Sequence, residues 1–285
     1  MEGKQTLVST EEDDKGNWME FEGKQYYVVK DDEEFHEVIE NGISLSSLIT
    51  TYVTDMENMS NNIKNGCNTF NESLNSWDVS NVIFMRSMFE DCSVFNKQLG
   101  QWDVSNVEDM GCMFKNCELF NQPLNSWDVS KVENMESMFQ GCSSFNQPLD
   151  QWNVSNVREM LVMFEDCSSF NQPLEQWDVS NVINMEWMFD GCISFNQPFS
   201  YDFIQKYIQS NKNNYYSKPL IEYNQRLLSI EQVYRLQPHM KELSTQLEKI
   251  IKEFYNCKKS TNVIIEENMY GFCKELIPRI ISFCV

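Results

Sequence analysis

The chain has 285 residues and a formal net charge of −21, with 43 acidic side chains against 22 lysines and arginines. A chain this negative would repel nucleic acid and anionic lipid, so neither is an expected partner. Hydrophobic residues make up 41% of the sequence, enough for a buried core, and the scarcity of glycine and proline excludes collagen-like and linker-like chains.

Residues 1–17 are rich in acidic side chains and predict a flexible tail. They contain no apolar run of the length that a secretory signal needs, and no stretch of the chain approaches the roughly 20 apolar residues that span a bilayer. We therefore expect no membrane span and an intracellular location, in the cytoplasm of the source or host cell. The alternative location is a virion or a cell surface.

Residues 18–49 predict a cap for one end of the repeats that follow. A strand-like run ends near residue 29, and Asp31 or Asp32 then starts a helix whose first turn is acidic. Gly42 is expected to end that helix. Its apolar side consists of Phe35, Val38 and Ile39. Such a cap would close the open end of a stack of repeats.

A 25-residue unit recurs about six times over residues 50–200. Most units contain Trp-Asp-Val-Ser-Asn-Val, then Met-x-x-Met-Phe-x-x-Cys, and then Phe-Asn-Gln-Pro-Leu or a close variant. Alternation in Trp-x-Val predicts a short strand, and the spacing of the later Val, Met, Phe and Cys predicts a helical arc. One strand and one arc per unit is the leucine-rich-repeat plan, so the sequence predicts an α/β repeat solenoid.

The first unit departs from the others. Val53, Met56 and Met59 keep the spacing of the later units, but Cys67 follows Met59 by eight residues where the later units have four. This difference predicts a four-residue insertion in an entry coil, as terminal repeats are commonly atypical.

Residues that recur at one position of each unit are expected to stack into ladders of like side chains. We predict ladders of tryptophan at Trp77, Trp102, Trp127, Trp152 and Trp177, of cysteine at Cys92, Cys117, Cys142, Cys167 and Cys192, and of asparagine at Asn96, Asn121, Asn146 and Asn171. Buried free thiols are the preferred interpretation of the cysteines, with disulfides or a metal site as alternatives.

Two further expectations concern the chemistry of these columns. Cys112 stands off the cysteine ladder, so we expect it to be more exposed than the others and to react first. Each ladder asparagine is expected to be buried and to donate from its amide to a backbone carbonyl of the neighbouring unit.

An aspartate column lies between the tryptophan and the valine of the predicted strand, and a serine column shares its outward side. The column members are Asp78, Asp103, Asp128, Asp178 and Ser80, Ser105, Ser130, Ser155, Ser180, with Asn153 at the fourth of the five aspartate positions. In one interpretation each Asp caps the following turn through backbone N–H groups. In the other, the column is a partner-binding face for a basic protein or a cation such as Ca²⁺.

Residues 201–285 leave the repeat pattern and predict a helical C-terminal module. Apolar residues follow a helical period over 227–236, 243–254 and 272–283. Part of this module is expected to cover the last repeat, although it could instead dock a separate partner.

The repeat words resemble those of the BspA-like leucine-rich-repeat surface proteins, in the variant with the mycoplasma-type repeat. WDVSNV, NMESMFQGCSSFNQPL and their copies carry the resemblance, which covers about residues 50–200. Members of that family occur on bacterial surfaces, in protists and in their large DNA viruses. The resemblance implies adhesion or protein binding without a catalytic site.

Function is therefore expected to be non-enzymatic, with no cofactor and no resident metal. The chain has two histidines, His36 and His239, in opposite terminal segments, and no nucleophile or phosphate-loop motif. We predict a repeat scaffold that binds a protein with a basic surface. The alternatives are an adhesion component of a surface or virion and a self-assembling structural protein, and the sequence leaves the oligomeric state open.

Overall fold

The computed structural model describes residues 15–195, 197 and 199–211, all of which lie within one compact unit of the chain. Most of the predicted acidic tail and the helical periods beyond residue 211 fall outside the described residues. The predicted end of the tail at residue 17 is wrong by a few positions. Gly16 donates its N–H to the carbonyl of Val28, and Asn17 accepts from the N–H of Val28, so both belong to the cap.

The cap contains a three-stranded sheet. Strand β1 (Trp18–Phe21) pairs antiparallel with β2 (Lys24–Val28), which pairs in parallel with the short β3 (Leu48–Ile49). The connection between β1 and β2 is two residues long, and both residues have left-handed backbone conformations, as tight hairpins require.

Helix α1 (Asp32–Glu40) confirms the predicted cap helix. The side chain of Asp31 accepts the N–H of Glu34 at 2.9 Å, which satisfies one of the free donors at the helix start. Gly42, with φ of 80°, ends it. Its apolar side, Phe35, Val38 and Ile39, is buried, and the Phe35 ring packs edge-on against Trp77 at 5.5 Å.

Consecutive repeats are joined by one parallel backbone bridge per unit. The bridges link Asp55 to Phe84, Phe84 to Asp109, Asp109 to Asn134, Asn134 to Glu159 and Glu159 to Asn184. Four of these links join residues 25 positions apart, whereas the first joins residues 29 apart. The longer first link confirms the four-residue insertion predicted for the first unit.

The strand predicted at Trp-x-Val is wrong in its position. Within the described repeats, these residues form no strand, because each Trp-x-Val lies between two turns. In the second unit, Trp77 donates its N–H to the carbonyl of Leu74, and Val82 donates to that of Val79. The bridge residue is instead the one directly before the first methionine of each unit.

The predicted helical arc is also replaced by a different backbone. Alternate residues of the second unit, Met85, Ser87, Phe89 and Asp91, donate their N–H groups to carbonyls of the next unit, so these groups make no helical bond. Ser87 and Asp91 have φ of 53° and 62°. A left-handed residue interrupts a right-handed helix, and the segment therefore advances as a series of single turns.

Val162 is a costly residue at one of these left-handed positions, since its φ is 48° and β-branched residues rarely adopt positive φ. Asn58 has the equivalent position in the first unit. We expect Val162→Asn to raise the free energy of unfolding by about 1 kcal/mol, because asparagine tolerates this conformation. Urea denaturation followed by circular dichroism would measure the change. The control is Val94→Asn, also at a half-buried valine but without positive φ, which should not stabilise the fold.

The core consists of aromatic ladders that run through the units. Phe89, Phe114, Phe139 and Phe164 stack at centroid distances of 5.6 Å. The tryptophan rings also stack, for example Trp77 on Trp102 at 6.2 Å. The indole N–H of Trp152 donates to the carbonyl of Leu124, 28 residues earlier, at 2.9 Å, so burial leaves no free polar group on this ring.

Helix α2 (Tyr201–Asn211) covers the last described repeat. Phe203, Ile204 and Tyr207 are fully buried, and the ring of Phe189 lies 5.8 Å from that of Tyr207. The start of the predicted C-terminal module thus covers the last repeat, as the sequence indicated.

Candidate functional site

The aspartate column caps turns of the backbone. In the five repeats that contain the column, the Oδ1 atom accepts the N–H of the serine two residues later, at 3.0 to 3.2 Å. The donors are Ser80, Ser105, Ser130, Ser155 and Ser180, and the acceptors are Asp78, Asp103, Asp128, Asn153 and Asp178. Hydrogen bonds from Ser130 and Ser180 lower the pKa of Asp128 and Asp178. The capping interpretation therefore describes the geometry, and partner binding by this column stays a prediction.

The neighbouring asparagine column, to which the sequence assigned no role, joins the units. Asn106 donates from its side-chain amide to the carbonyl of Ser80 at 2.7 Å, and Asn181 donates to Ser155 at 2.7 Å. At the end of the repeats, Lys206 of α2 donates to the carbonyl of Ser180 in the same way. This surface is thus a network of structural bonds.

The ladder of Asn96, Asn121, Asn146 and Asn171 is present, but two expectations about it are wrong. These side chains accept rather than donate between units, since the Oδ1 of Asn96 accepts the N–H of Asn121 at 3.0 Å. They are half-buried or exposed rather than buried. The N–H groups of Asn96, Asn121 and Asn146 make no backbone hydrogen bond. Each donates instead to the side-chain oxygen of the asparagine 25 residues earlier, and this is why the side chains act as acceptors.

Four ladder cysteines are buried free thiols. Cys117, Cys142, Cys167 and Cys192 each donate S–H to a phenylalanine carbonyl of the preceding unit at 2.8 to 3.0 Å. Burial raises the pKa of all four thiols, which suppresses the reactive thiolate.

Cys92 and Cys112 depart from expectation. Cys92 lies directly against Cys67, and their Cα atoms are 4.6 Å apart, a separation that a disulfide allows. Cys67 follows the insertion and begins a 3₁₀ turn, Cys67–Thr69, so it does not share the setting of the other ladder thiols. Cys112 is buried, with 8% of its surface exposed, although it is more exposed than three of the four free ladder thiols. Burial raises the pKa of its thiol, and its reacting first stays a prediction.

The parallel bridges bring together a second set of surface side chains, here called the bridge face: residues 54–58, 83–87, 108–112, 133–137, 158–162 and 183–187. Its acidic members are Asp55, Glu57, Glu108, Asp109, Glu133, Glu136, Glu159 and Glu186, and its basic members are Arg86 and Arg158. Within the described residues this face therefore carries eight acidic side chains against two basic ones.

Both arginines of the bridge face are paired. Arg86 reaches across the third unit to Glu136, at 3.2 Å, and Arg158 lies 3.5 Å from Glu133. Gly111 makes the first pair possible, because a Cβ atom there would overlap the guanidinium of Arg86. The other six carboxylates of this face form no ion pair with a described residue.

The unneutralised acids are spread along the units. Glu108, Glu159 and Glu186 form no ion pair with any residue of the described ranges. At the first unit, burial and the nearby carboxylates of Asp55 and Asp109 raise the pKa of Glu57, which is the effect expected where like charges accumulate. The sequence alone does not single out this face, because its side chains change from unit to unit.

Within the described part of the chain, neither a histidine nor a group of possible metal ligands forms a further candidate site. His36 is hydrogen-bonded to the amide of Asn62 at 2.7 Å, and His239 lies outside the described residues. Among residues 15–195, 197 and 199–211, no three His, Cys, Asp or Glu side chains are grouped to hold a metal ion. In the same ranges, no helix combines the length and apolar character needed to cross a bilayer.

Comparison with known proteins identifies the repeats. The family described as "Mycoplasma protein of unknown function, DUF285" matches residues 30–148 and 123–226. The chain belongs to this family. The two DUF285 matches overlap and extend from the end of β2 past α2, so they include every described repeat.

DUF285 membership confirms the mycoplasma character of the predicted resemblance, while the BspA-like assignment stays a prediction. No curated protein and no solved structure matches the chain. Since the description of DUF285 gives no function, the function has to be inferred from the geometry.

Proposed function

We propose that this DUF285 protein is a non-catalytic protein-binding scaffold, a solenoid of stacked repeats whose bridge face recognises a partner with a basic surface. The observation that carries the proposal is the charge of that face, where eight acidic side chains meet two basic ones. We also propose that the protein acts inside the cell.

Asp55 and Asp109 of the bridge face each cap a turn, by accepting the N–H of Glu57 and of Gly111, but its other six acids are not required by the repeat. Positions that build the fold keep one residue type, such as the Trp, Met and Phe of each unit. The position of Glu108, in contrast, holds Glu133 in the next unit, Arg158 in the one after and Ile183 in the last. Since the backbone accepts any of these side chains, an acidic excess here supports selection for binding rather than for folding.

The proximity of these charges is unfavourable in the free protein. Adjacent units lie at strand spacing, about 5 Å, and like charges at such a distance repel by about 1 kcal/mol even in water. A basic partner would relieve this repulsion, and complementary charge would also guide its approach and orientation.

The bridge face is a better candidate than the aspartate and serine columns, because most of its acids have no role in the fold. Each aspartate of that column already accepts a backbone N–H, and Asn153 performs the same role without charge. A catalytic role fits neither surface, because their acids follow the repeat along the chain instead of converging on one enclosed point.

Two matched triple variants would test the proposal. One changes Glu108, Glu159 and Glu186 to Gln, and the other changes Asp103, Asp128 and Asp178 to Asn. Both remove three negative charges, and asparagine retains the turn cap. Wild type and both variants, with folding checked by circular dichroism, would be used for quantitative pull-down from lysate of the source cell.

We expect a partner that wild type and the Asn variant capture equally and that the Gln variant loses. Capture lost only by the Asn variant would move the binding surface to the Asp/Ser column. Equal capture by all three proteins would contradict a charge-based role for either surface.

A further inference from the structure

A cavity of 740 Å³ lies where the bridge face meets helix α2. The last repeat contributes Asn181, Ile183, Glu186 and Trp187 to its lining, and α2 contributes Lys206 and Gln209. Cavities of several hundred Å³ are the usual size of ligand sites, so the space is ample for one or two side chains of a bound segment.

Two large apolar side chains that line this cavity are exposed to solvent. Ile183 is 69% and Trp187 is 40% exposed. The preceding units have Ile83, Glu108, Glu133 and Arg158 at the position of Ile183, and Ser87, Cys112, Ser137 and Val162 at that of Trp187. The repeat therefore folds with charged residues at the first position and without an aromatic ring at the second, and among these units the last alone has large apolar residues at both.

The backbone of Trp187 is held in an uncommon conformation. Its φ is 59°, in the left-handed region where a bulky residue is an outlier. Its N–H donates to the Oδ1 of Asn211, at 2.8 Å, and Asn211 is buried in α2. The equivalent residue of every other described unit, from Asn58 to Val162, has the same left-handed conformation, so the repeat itself fixes this backbone. A tryptophan fixed in this way loses little freedom when it binds.

The charges around the cavity indicate what it would accept. Glu186 is exposed at its rim, and Glu159 stands in the adjacent unit, each without an ion pair among the described residues. The lining cation, Lys206, donates to the carbonyl of Ser180 at 3.0 Å and keeps its charge. The two carboxylates outnumber it, so the surroundings are moderately attractive to lysine and arginine.

We infer that this cavity, here called the anchor pocket, binds a large apolar side chain of a partner segment in which that residue is flanked by lysine or arginine. The inference rests on the proposed protein-binding function and specifies its partner. Buried aromatic anchors commonly supply most of the affinity of an interface, and surrounding charges supply orientation. Charge complementarity favours such a segment over a second copy of this chain, which has the same net charge of −21.

The test uses the full chain and two fluorescein-labelled dodecapeptides. Both peptides are lysine-rich, and they differ only at the two central residues, Phe-Leu in one and Ala-Ala in the other. Binding is measured by fluorescence anisotropy at low salt. Two variants alter the pocket with residues that other units already tolerate, Trp187→Ser and Ile183→Glu. The control is Ile193→Ser, which changes an apolar side chain that is 86% exposed outside the pocket.

We expect wild type and the Ile193→Ser variant to bind the Phe-Leu peptide about tenfold or more tightly than the Ala-Ala peptide. The Trp187→Ser variant should lose this preference while binding the Ala-Ala peptide as wild type does. The Ile183→Glu variant should also lose it.

Other outcomes overturn the anchor pocket. If wild type binds both peptides equally, and the triple Gln variant binds both more weakly, the result supports binding by the acidic bridge face and contradicts the anchor pocket. If neither peptide binds, both proposals fail for basic segments. If light scattering shows a dimer that Trp187→Ser converts to monomer, the pocket is occupied by a second copy instead.

Discussion

Replacing Phe139 by alanine is expected to lower the free energy of unfolding by about 3–5 kcal/mol. The ring is fully buried and stacks between Phe114 and Phe164, at 5.6 Å from each, and lies 4.2 Å from Phe145. Alanine would leave a cavity that the neighbouring rings cannot fill, because each is held by its own contacts along the ladder. Urea denaturation followed by circular dichroism would measure the loss.

The control for this substitution is Leu119→Ala, in the preceding unit. Leu119 is 51% exposed, so its truncation should change the free energy of unfolding by no more than about 0.5 kcal/mol. A loss below about 1 kcal/mol for Phe139→Ala would mean that the ladder does not hold the units together. The stability of stacked repeats depends on contacts between neighbours, and the phenylalanine ladder supplies many of them here.

The transition should also become less cooperative in the Phe139→Ala variant. Its contacts join three consecutive units, so the units before and after it would be coupled more weakly. A lower dependence of the free energy on urea concentration, or two separate transitions, would report this uncoupling.

The ladders could be predicted from the sequence because a residue repeated at a fixed interval must meet its own copy in the next unit. The path of the backbone between them could not. Val-x-x-Met-x-x-Met-Phe has the spacing of a helix, yet the same spacing arises from successive turns that are each separated by a left-handed residue. Periodicity of side chains alone does not distinguish these two backbones.

One signal for the left-handed residues was present in the sequence. The residue before each ladder cysteine is Asp91, Asn116, Gly141, Asp166 or Gly191, and all five have φ between 58° and 73°. Aspartate, asparagine and glycine are the residues that adopt this conformation most readily. Their exclusive use at one position predicts a turn there and excludes a continuous helix.

The candidate site was harder to predict than the core. The repeated aspartates stand out in the sequence, but repetition indicates a requirement of the fold, and in the structure their carboxylates cap turns. The bridge face varies from unit to unit, and its members become neighbours only when the bridge residues are known. Variation on a constant backbone is the pattern to search for when a repeat protein's binding surface is sought.

Both ends of the described stack are closed by a side chain that replaces the backbone of an absent unit. At the first unit, the carboxylate of Asp32 in α1 accepts the N–H groups of Thr54 and Asp55. At the last unit, Asn211 in α2 accepts the N–H of Trp187 and donates to the carbonyl of Met185 at 3.1 Å. Unpaired backbone edges can pair with other chains. By bonding the backbone of the first and last units, Asp32 and Asn211 make such pairing less favourable.

Replacing Asn211 by alanine is therefore expected to cost about 2–4 kcal/mol of unfolding free energy, because the N–H of Trp187 and the carbonyl of Met185 would lose their partner. Urea denaturation would measure the loss, with Gln205→Ala, at an exposed position of the same helix, as a control that should stay within about 0.5 kcal/mol. Asn211→Ala should also increase association at high concentration, measured by light scattering, since it uncovers an edge. If stability and association both remained those of wild type, Asn211 would not be the cap, and the buried rings of Phe203 and Tyr207 would have to close the last unit by packing alone.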